Sequence, residues 1–494
     1  MSKRVAFVEE AVRATGLSSA RRLLGAYGCL AVAWALTVPP FSAPDEWSHY
    51  LRALGIAHGH LLGEPVESYH DANLDPRQEA WVAQAVRWTE VPPRMAPDGY
   101  GCNAFQPTVS AACADRLPPP PAVAVRRVTV TGTYQPVLYL LPALLVRAAR
   151  GPVSGVLLCR IATLLTCLAL LGLAIRSLRP HLLGVLVAVT PMAVFLAASF
   201  NPSGPEVAGA IAFLAGLIAL ARGSAGREAW IASAAGGSAL CLSRSPGPIW
   251  LLLLGAVWLL SCGVTRAWQI ARAAPRSAAW TAGLIAAAAA LNCAWEMAYG
   301  PHLTAPRTEP VSVAVRESLR ALPGWIREQI GVYQYLDSAM PRFAYLLWAA
   351  LVLGLVLAGV AAGVRRDRLA LAAATALALV VPVLLDVFVR RPTGWTVQGR
   401  HVLPLSVAVP LIAAEVLVRN GRPAGRLGAA IAVVCGAVQF VGVYADGRRS
   451  AVGTSGSWLF PLHPEWSPPL GWGPWLLLAG AGAALIMTSR PAPT

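Results

Sequence analysis

The chain has 494 residues, of which 56 % are hydrophobic and only 13 % charged, a balance outside the range of ordinary soluble domains. Its formal charge of +16 comes almost wholly from arginine, Lys3 being the only lysine. The arginines punctuate short connections between apolar runs, where a topology signal is expected, so a nucleic-acid partner is excluded.

Runs of about 17–25 apolar residues, enough to cross about 30 Å of hydrocarbon, recur at 23–41, 153–175, 182–200, 205–222, 228–243, 248–264, 278–298, 343–363, 369–389, 402–418, 426–444 and 472–488. This predicts an all-α polytopic membrane protein of about twelve transmembrane helices, a single membrane domain over 1–494. The first run follows a basic segment and is long enough to stay as an anchor rather than a cleaved signal. The basic connections 176–181, 222–227, 265–276, 365–368 and 419–426 fall on one side, with Arg21 and Arg22 of the N-terminal segment 1–22. The positive-inside rule makes that side cytoplasmic. Segments 42–152, 299–342, 390–401 and 445–471 are then extracytoplasmic, and they hold nearly all the Asp, Glu, His, Trp and Pro that the spans lack.

Directly behind the first span comes "PPFSAPDEWSHYLRALGIAHGHLL" (39–62). A helix starting at Pro44, a favourable first-turn residue, places Asp45, His49 and Arg52 on one face. Asp45 and Glu46 then occupy the first turn, where the helix dipole favours negative charge, so the tripeptide "PDE" also reads as a plain helix start. The chemical reading is that a carboxylate at the membrane surface, partly shielded from water and near a cation, serves as a general base or a metal ligand. Its natural substrate is an amphiphile with a lipid tail and a polar head.

The long first loop continues with a Pro/Gly/Ala-rich stretch including "PPPP" (118–121), which has little means of forming its own core and is expected to pack on the membrane domain. Of nine cysteines, seven lie in apolar segments as small hydrophobes. Cys102 and Cys113 sit in the polar loop, where a disulfide is permitted outside the cytoplasm and two free thiols are the rival. "YQPVLYLLPALLVRAAR" (134–150) is apolar but short and interrupted by Pro142, and reads as an interfacial helix. In the rival arrangement it crosses, with Arg147 and Arg150 inside, and a weak span such as 228–243 does not.

Further along, "SFNPSGPE" (199–206) offers Asn201 and Glu206, although turn chemistry alone accounts for Asn201. Asp337, in "EQIGVYQYLDSAMPRF" (328–343), binds a sugar hydroxyl or caps the helix that follows. "RRPTGWTVQGRHVLPL" (390–405) brings Arg390, Arg391, Gln398, Arg400 and His401. Arginine's planar fork suits phosphate, while snorkelling to lipid headgroups is the alternative. Trp458, Phe460, Trp466, Trp472 and Trp475 read as an interfacial aromatic belt. The chain has no Walker-type loop, zinc-like Cys/His spacing or nucleophile elbow, so ATP-driven pumping and metallopeptidase chemistry lack support.

The stretch 39–65 resembles the first extracytoplasmic loop of the GT-C class of membrane glycosyltransferases. More specifically, the chain resembles the bacterial membrane-protein family called domain of unknown function 2142. The motifs are "PPFSAPDEWSHYLRA" (39–53), "YQPVLYLLPALL" (134–145), "TPMAVFLAASFNPSGPE" (190–206), "IGVYQYLDSAMP" (330–341), "QGRHVLPL" (398–405) and "EWSPPLGW" (465–472).

The resemblance implies a GT-C-like fold in the bacterial cytoplasmic membrane and an inverting transfer of sugar from a polyprenyl-phosphate donor. The acceptor is an extracytoplasmic cell-envelope glycan, lipid or protein. Asp45 is then the catalytic base or holds a divalent cation (Mg or Mn), with Glu46 and His49 in support. Arg400 takes the donor phosphate, followed by Arg391 and Arg52. Glu206, Asn201, Asp337, Gln398 and His401 remain for substrate binding. The aspartate common in the "NPSGPE" region of GT-C relatives has its only counterpart here in Glu206. Two other functions fit the same architecture: a transporter or flippase of a lipid-linked envelope molecule, and a non-catalytic assembly protein. Charge pairs at the bilayer midplane favour transport, and Arg160 is the main candidate for one.

Overall fold

The computed structural model describes residues 2–223, 226–302, 309–422 and 425–489. Parts of the connections 222–227 and 419–426 and of segment 299–342 therefore lie outside the described residues. Helix α1 (Ser2–Thr37) ends where Pro39 and Pro40 remove two backbone donors. After a tight turn, α2 (Glu46–Ala57) begins.

The long segment that follows departs from the irregular coil expected of it. It holds strand β1 (Glu64–Pro65), helix α3 (Pro76–Ala85), strands β2 (Arg87–Val91) and β3 (Val125–Thr129), and the short helix α4 (Leu140–Val146). The strands pair antiparallel in the order β1-β2-β3, with Arg87 opposite Thr129 and Val91 opposite Val125. Helix α3 is closed by a reciprocal capping box between Asp75 and Gln78. The sheet has no core of its own. Val91 joins Phe41, Tyr50, Leu51 and Leu54 of the α2 region and Tyr139, Val146 and Val156 in one apolar cluster, which fixes the segment to the helical domain. The apolar helix Val137–Val146 spans ten residues, about 15 Å at helical rise. It presents Leu140 and Leu144 outward while Pro142, Ala143 and Val146 are buried. Cys102 and Cys113 form a disulfide, with Cα atoms 6.1 Å apart.

The remaining chain is helical throughout: α5 (Pro152–Leu178), α6 (Leu183–Ala188), α7 (Pro191–Ala198), α8 (Ser203–Arg222), α9 (Arg227–Ser243), α10 (Gly247–Cys262), α11 (Val264–Ala273), α12 (Pro275–Tyr299) and α13 (Val311–Gly331). A two-strand hairpin, β4 (Val332–Tyr333) with β5 (Ser338–Ala339), then leads to α14 (Arg342–Ala362), α15 (Arg365–Thr393), α16 (Gly399–Ser406), α17 (Ala408–Arg419), α18 (Gly425–Val452) and α19 (Trp472–Met487). Among the described residues seven helices are long and apolar enough to cross a membrane, or eight if α10 and α11, bent by 99°, count as one span. The other expected spans are helical too, but α9 and α19 are short and 182–200 is broken into α6 and α7. That break is satisfied internally: Thr190 caps α7 and donates to the Gln329 carbonyl at 2.8 Å, and Gln439 donates to the Val189 carbonyl at 2.8 Å. An apolar environment tolerates an opened helix only under such conditions.

The helices sort into inner and outer sets. The apolar window of α8 is 89 % buried and that of α16–α17 is 83 %, against 17 % for α12. Close approach of α8 to α9 depends on missing side chains, since a Cβ on Gly209 would lie 2.9 Å from the Gly236 carbonyl oxygen. The aromatic group near 460 is less a belt than a small core: Phe460, Trp466 and Trp472 are buried together, while Trp458 stays exposed.

Candidate functional site

The turn between α1 and α2 places Phe41 and Asp45 in the left-handed region, at φ 64° and 57°, a conformation that aspartate tolerates better than most residues. Asp45 stands at the N-cap of α2 but makes no side-chain cap bond. Instead its Oδ2 accepts a 2.6 Å ion-paired hydrogen bond from Nη2 of Arg400, 355 residues away. The carboxylate side chain keeps half of its surface accessible, while that of Arg400 is 6 % accessible.

Three packed elements deliver Arg400. Gly399 opens α16 and donates its N–H to Glu328 Oε2 of α13 at 2.5 Å. A Cβ on Gly399 would lie 2.3 Å from the Trp325 carbonyl oxygen, so only glycine lets α16 approach α13 this closely. Burial raises the Glu328 carboxyl, although the Gly399 N–H and Arg400 oppose it. Arg400 is left with Nε and Nη1 buried and without hydrogen-bond partners, and unpaired buried donors of this kind are costly.

Arg244, in the turn between α9 and α10, is the second cation of the site. It acts on Asp45, His49, Glu206 and His401, and its Nη1 is also buried without a partner. Against the pull of burial, Arg400 first, then His49 and Arg244, hold the Asp45 carboxyl below its usual range. His49 is buried, and that burial chiefly, helped by the two arginines against the opposing pull of Asp45, lowers it to about 3. It is therefore neutral near pH 7, with Nδ1 2.7 Å from the Tyr139 hydroxyl.

Of the residues singled out from the sequence, the structure brings together Asp45, His49, Arg400, His401 and Glu206 around Arg244. Both Glu206 carboxylate oxygens and Gln398 Oε1 are buried without hydrogen-bond partners. Asn201 acts on the backbone: its Nδ2 donates to the Pro44 carbonyl at 2.8 Å, fixing the residue before Asp45.

Others are engaged elsewhere. Glu46, expected beside Asp45, turns the opposite way into a fully buried pair with Arg160, with bonds of 2.8 and 2.6 Å, because successive helical positions diverge by about 100°. Arg160, expected as an isolated intramembrane charge, is thereby neutralised. Arg52 donates twice to the Tyr134 carbonyl. Arg391 donates to the Glu309 carbonyl while Arg390 pairs with the Glu309 carboxylate. Asp337 pairs with buried Arg449 at 2.8 Å. Arg244 was not anticipated. Its signal in the sequence is a lone arginine in the short turn "SRSPG" on the side opposite the other basic connections.

The donor set does not suit a divalent cation. The groups acting on Asp45 are two arginines and a histidine, and among the described residues no three His, Cys, Asp or Glu side chains cluster to hold a metal. An apolar groove of about 440 Å³ starts one turn beyond Arg400 on the same chain, lined by Leu403, Val407, Ile326, Ile330, Trp348 and Leu353. Leu353 is 58 % exposed, so the groove reaches the outer surface of the helical domain.

No curated protein and no solved structure matches the chain. A family model described as "Predicted membrane protein (DUF2142)" matches residues 29–409, an interval holding Asp45, Arg244 and Arg400. The chain belongs to this DUF2142 family of membrane proteins.

Proposed function

We propose that the protein is a GT-C-like glycosyltransferase of the bacterial cytoplasmic membrane, with twelve crossings, both termini inside and its site on the extracytoplasmic face. It moves a sugar from a polyprenyl-phosphate donor to a cell-envelope acceptor. The observation that carries this reading is the contact of Asp45 with Arg400, an accessible carboxylate paired to a buried arginine that retains two unused donors. The apolar groove beside Arg400 suits an isoprenoid chain whose phosphate lies against Arg400 and Arg244.

In the resting pair Arg400 keeps Asp45 a weak base. A donor phosphate arriving at Arg400 competes for that guanidinium, which frees Asp45 and raises its basicity where a base is needed. The acceptor oxygen attacks the anomeric carbon from the face opposite the phosphate. Its proton passes to Asp45, the bond from carbon to phosphate oxygen breaks, and polyprenyl phosphate leaves with its charge met by the two arginines. His49, neutral and held by Tyr139, positions rather than titrates.

The test is reconstitution in vesicles with polyprenyl-phosphate sugars, comparing wild type with Asp45→Asn and Arg400→Ala. Transfer should fall at least about 100-fold in each. Unchanged transfer by Asp45→Asn would remove the catalytic assignment, and movement of lipid without transfer would favour a flippase.

A further inference from the structure

A second cavity, of about 310 Å³, lies between α2 and the β-sheet, away from Asp45, at the lower end of the size range for small-molecule sites. Its wall includes Arg52, Arg87, Arg126, Trp88, Glu64 and Glu90. At the mouth the charges are compensated. Exposed Arg126 pairs with Glu64, lies opposite Glu90 in the strand register, and stacks over the Trp88 ring at 5.0 Å.

Deeper in, they are not compensated. Arg52 is 2 % exposed, and Arg87 is half-buried with its Nε sealed off and unpartnered. Neither makes an ion pair among the described residues; their hydrogen bonds go to the carbonyls of Tyr134, Gln84 and Val86. The two cations act on each other. Burial first, and Arg87 besides, pull Arg52 down to about 10, with Tyr139 opposing, and no carboxylate contributes. Two adjacent buried arginines without an acid are unfavourable alone and become favourable once an anion enters.

We propose that this cavity is an oxyanion-binding subsite, with Arg52 and Arg87 as its floor, that receives a carboxylate or phosphate carried by the acceptor saccharide. Arg52 lies seven positions after Asp45, about 10 Å along α2 and on nearly the same face. An acidic sugar unit held there places a neighbouring unit at the Asp45 carboxylate. Tyr134 joins the two places, since its carbonyl holds Arg52 while its ring lies 5.7 Å from that of His49. The anion site stands on the cavity itself; its assignment to the acceptor rests on the glycosyl-transfer reading.

The experiment is equilibrium dialysis of radiolabelled glucuronate and glucose against the full-length protein in phosphatidylcholine nanodiscs. Glucuronate should bind at least about tenfold more tightly than glucose, and about tenfold more weakly in 0.5 M than in 0.05 M NaCl. Arg87→Gln should lose about tenfold and Arg87→Lys should recover part of it, whereas Asp45→Asn should bind glucuronate as wild type does. Equal binding of the two sugars, or salt-independent binding, overturns the proposal even where Arg87→Gln fails to fold. Glucuronate binding abolished by phosphatidylglycerol in the nanodisc overturns the acceptor assignment in favour of a lipid headgroup. Failure to bind while Asp45-dependent transfer proceeds removes the subsite and leaves the transferase. Binding without any transfer supports the anion site and removes its acceptor role together with the transferase.

Discussion

Asp45 and Glu46 are neighbours in the chain, each paired with an arginine, and they serve opposite ends. The pair of Glu46 with Arg160 is saturated: the guanidinium donates to both carboxylate oxygens and to the carbonyls of Ala35, Val38 and Pro39, and the acid also accepts from the Phe200 N–H. Neither side chain has any accessible surface. It gathers the end of α1, the start of α2 and α5 into one node. The pair of Asp45 with Arg400 is the reverse, with one direct bond, an accessible acid and two idle donors on the base. A completed polar network holds the chain in place, while an incomplete one is open to a guest.

The comparison breaks most visibly at Arg160. Arg160→Met, which leaves Glu46 buried and unpaired, should cost about 3–5 kcal/mol, read as a lowered unfolding midpoint in detergent. The double variant Arg160→Met with Glu46→Leu should recover only part of that loss, because the three carbonyls remain without donors. Asp45→Asn should shift stability by about 1 kcal/mol or less while depressing transfer at least about 100-fold. A large loss of stability there would make Asp45 a second structural node.

His49 sharpens the contrast through pH. Its folded value of about 3 lies below the ordinary 6.5, so the unfolded chain binds the proton more readily between those values. Stability should fall as pH drops from about 6.5 toward 3, by about 1.4 kcal/mol per unit of displacement at most. His49→Gln should flatten that decline. The lowered Asp45 carboxyl contributes stability above its ordinary range that is lost as pH falls through its lowered value, so a residual acid loss should remain in the His49 variant. Arg391→Ala, which removes a half-buried backbone contact, should change stability by about 1 kcal/mol and transfer scarcely at all.

Helical runs were legible from the sequence because an apolar stretch of membrane length has few alternatives to helix. All twelve expected intervals are helical, and the family was carried by motifs spread over the whole chain. The sheet was not legible: β1 has two residues, and β2 and β3 are separated by a proline-rich stretch with no hairpin turn, so only packing on α2 reveals it. Asp45 and Arg400 could each be named from local chemistry, but nothing local separated Asp45 from Glu46. Which carboxylate met which arginine was decided by the left-handed turn at Asp45 and by the approach of α5 and α16. Arg244 escaped for a related reason, since its partners come from α2, α8 and α16 and none lies near it in the chain.

The separation of 355 residues between Asp45 and Arg400 also has a meaning in time. At a synthesis rate of about 5–20 residues per second, roughly 20–70 s pass between the appearance of the acid and that of its arginine. During that interval the nascent chain carries the carboxylate without its partner, while the node at Arg160 is available much sooner. The order of synthesis thus assembles the scaffold before the site, and chains arrested before α16 are inert, unable to act on lipid prematurely.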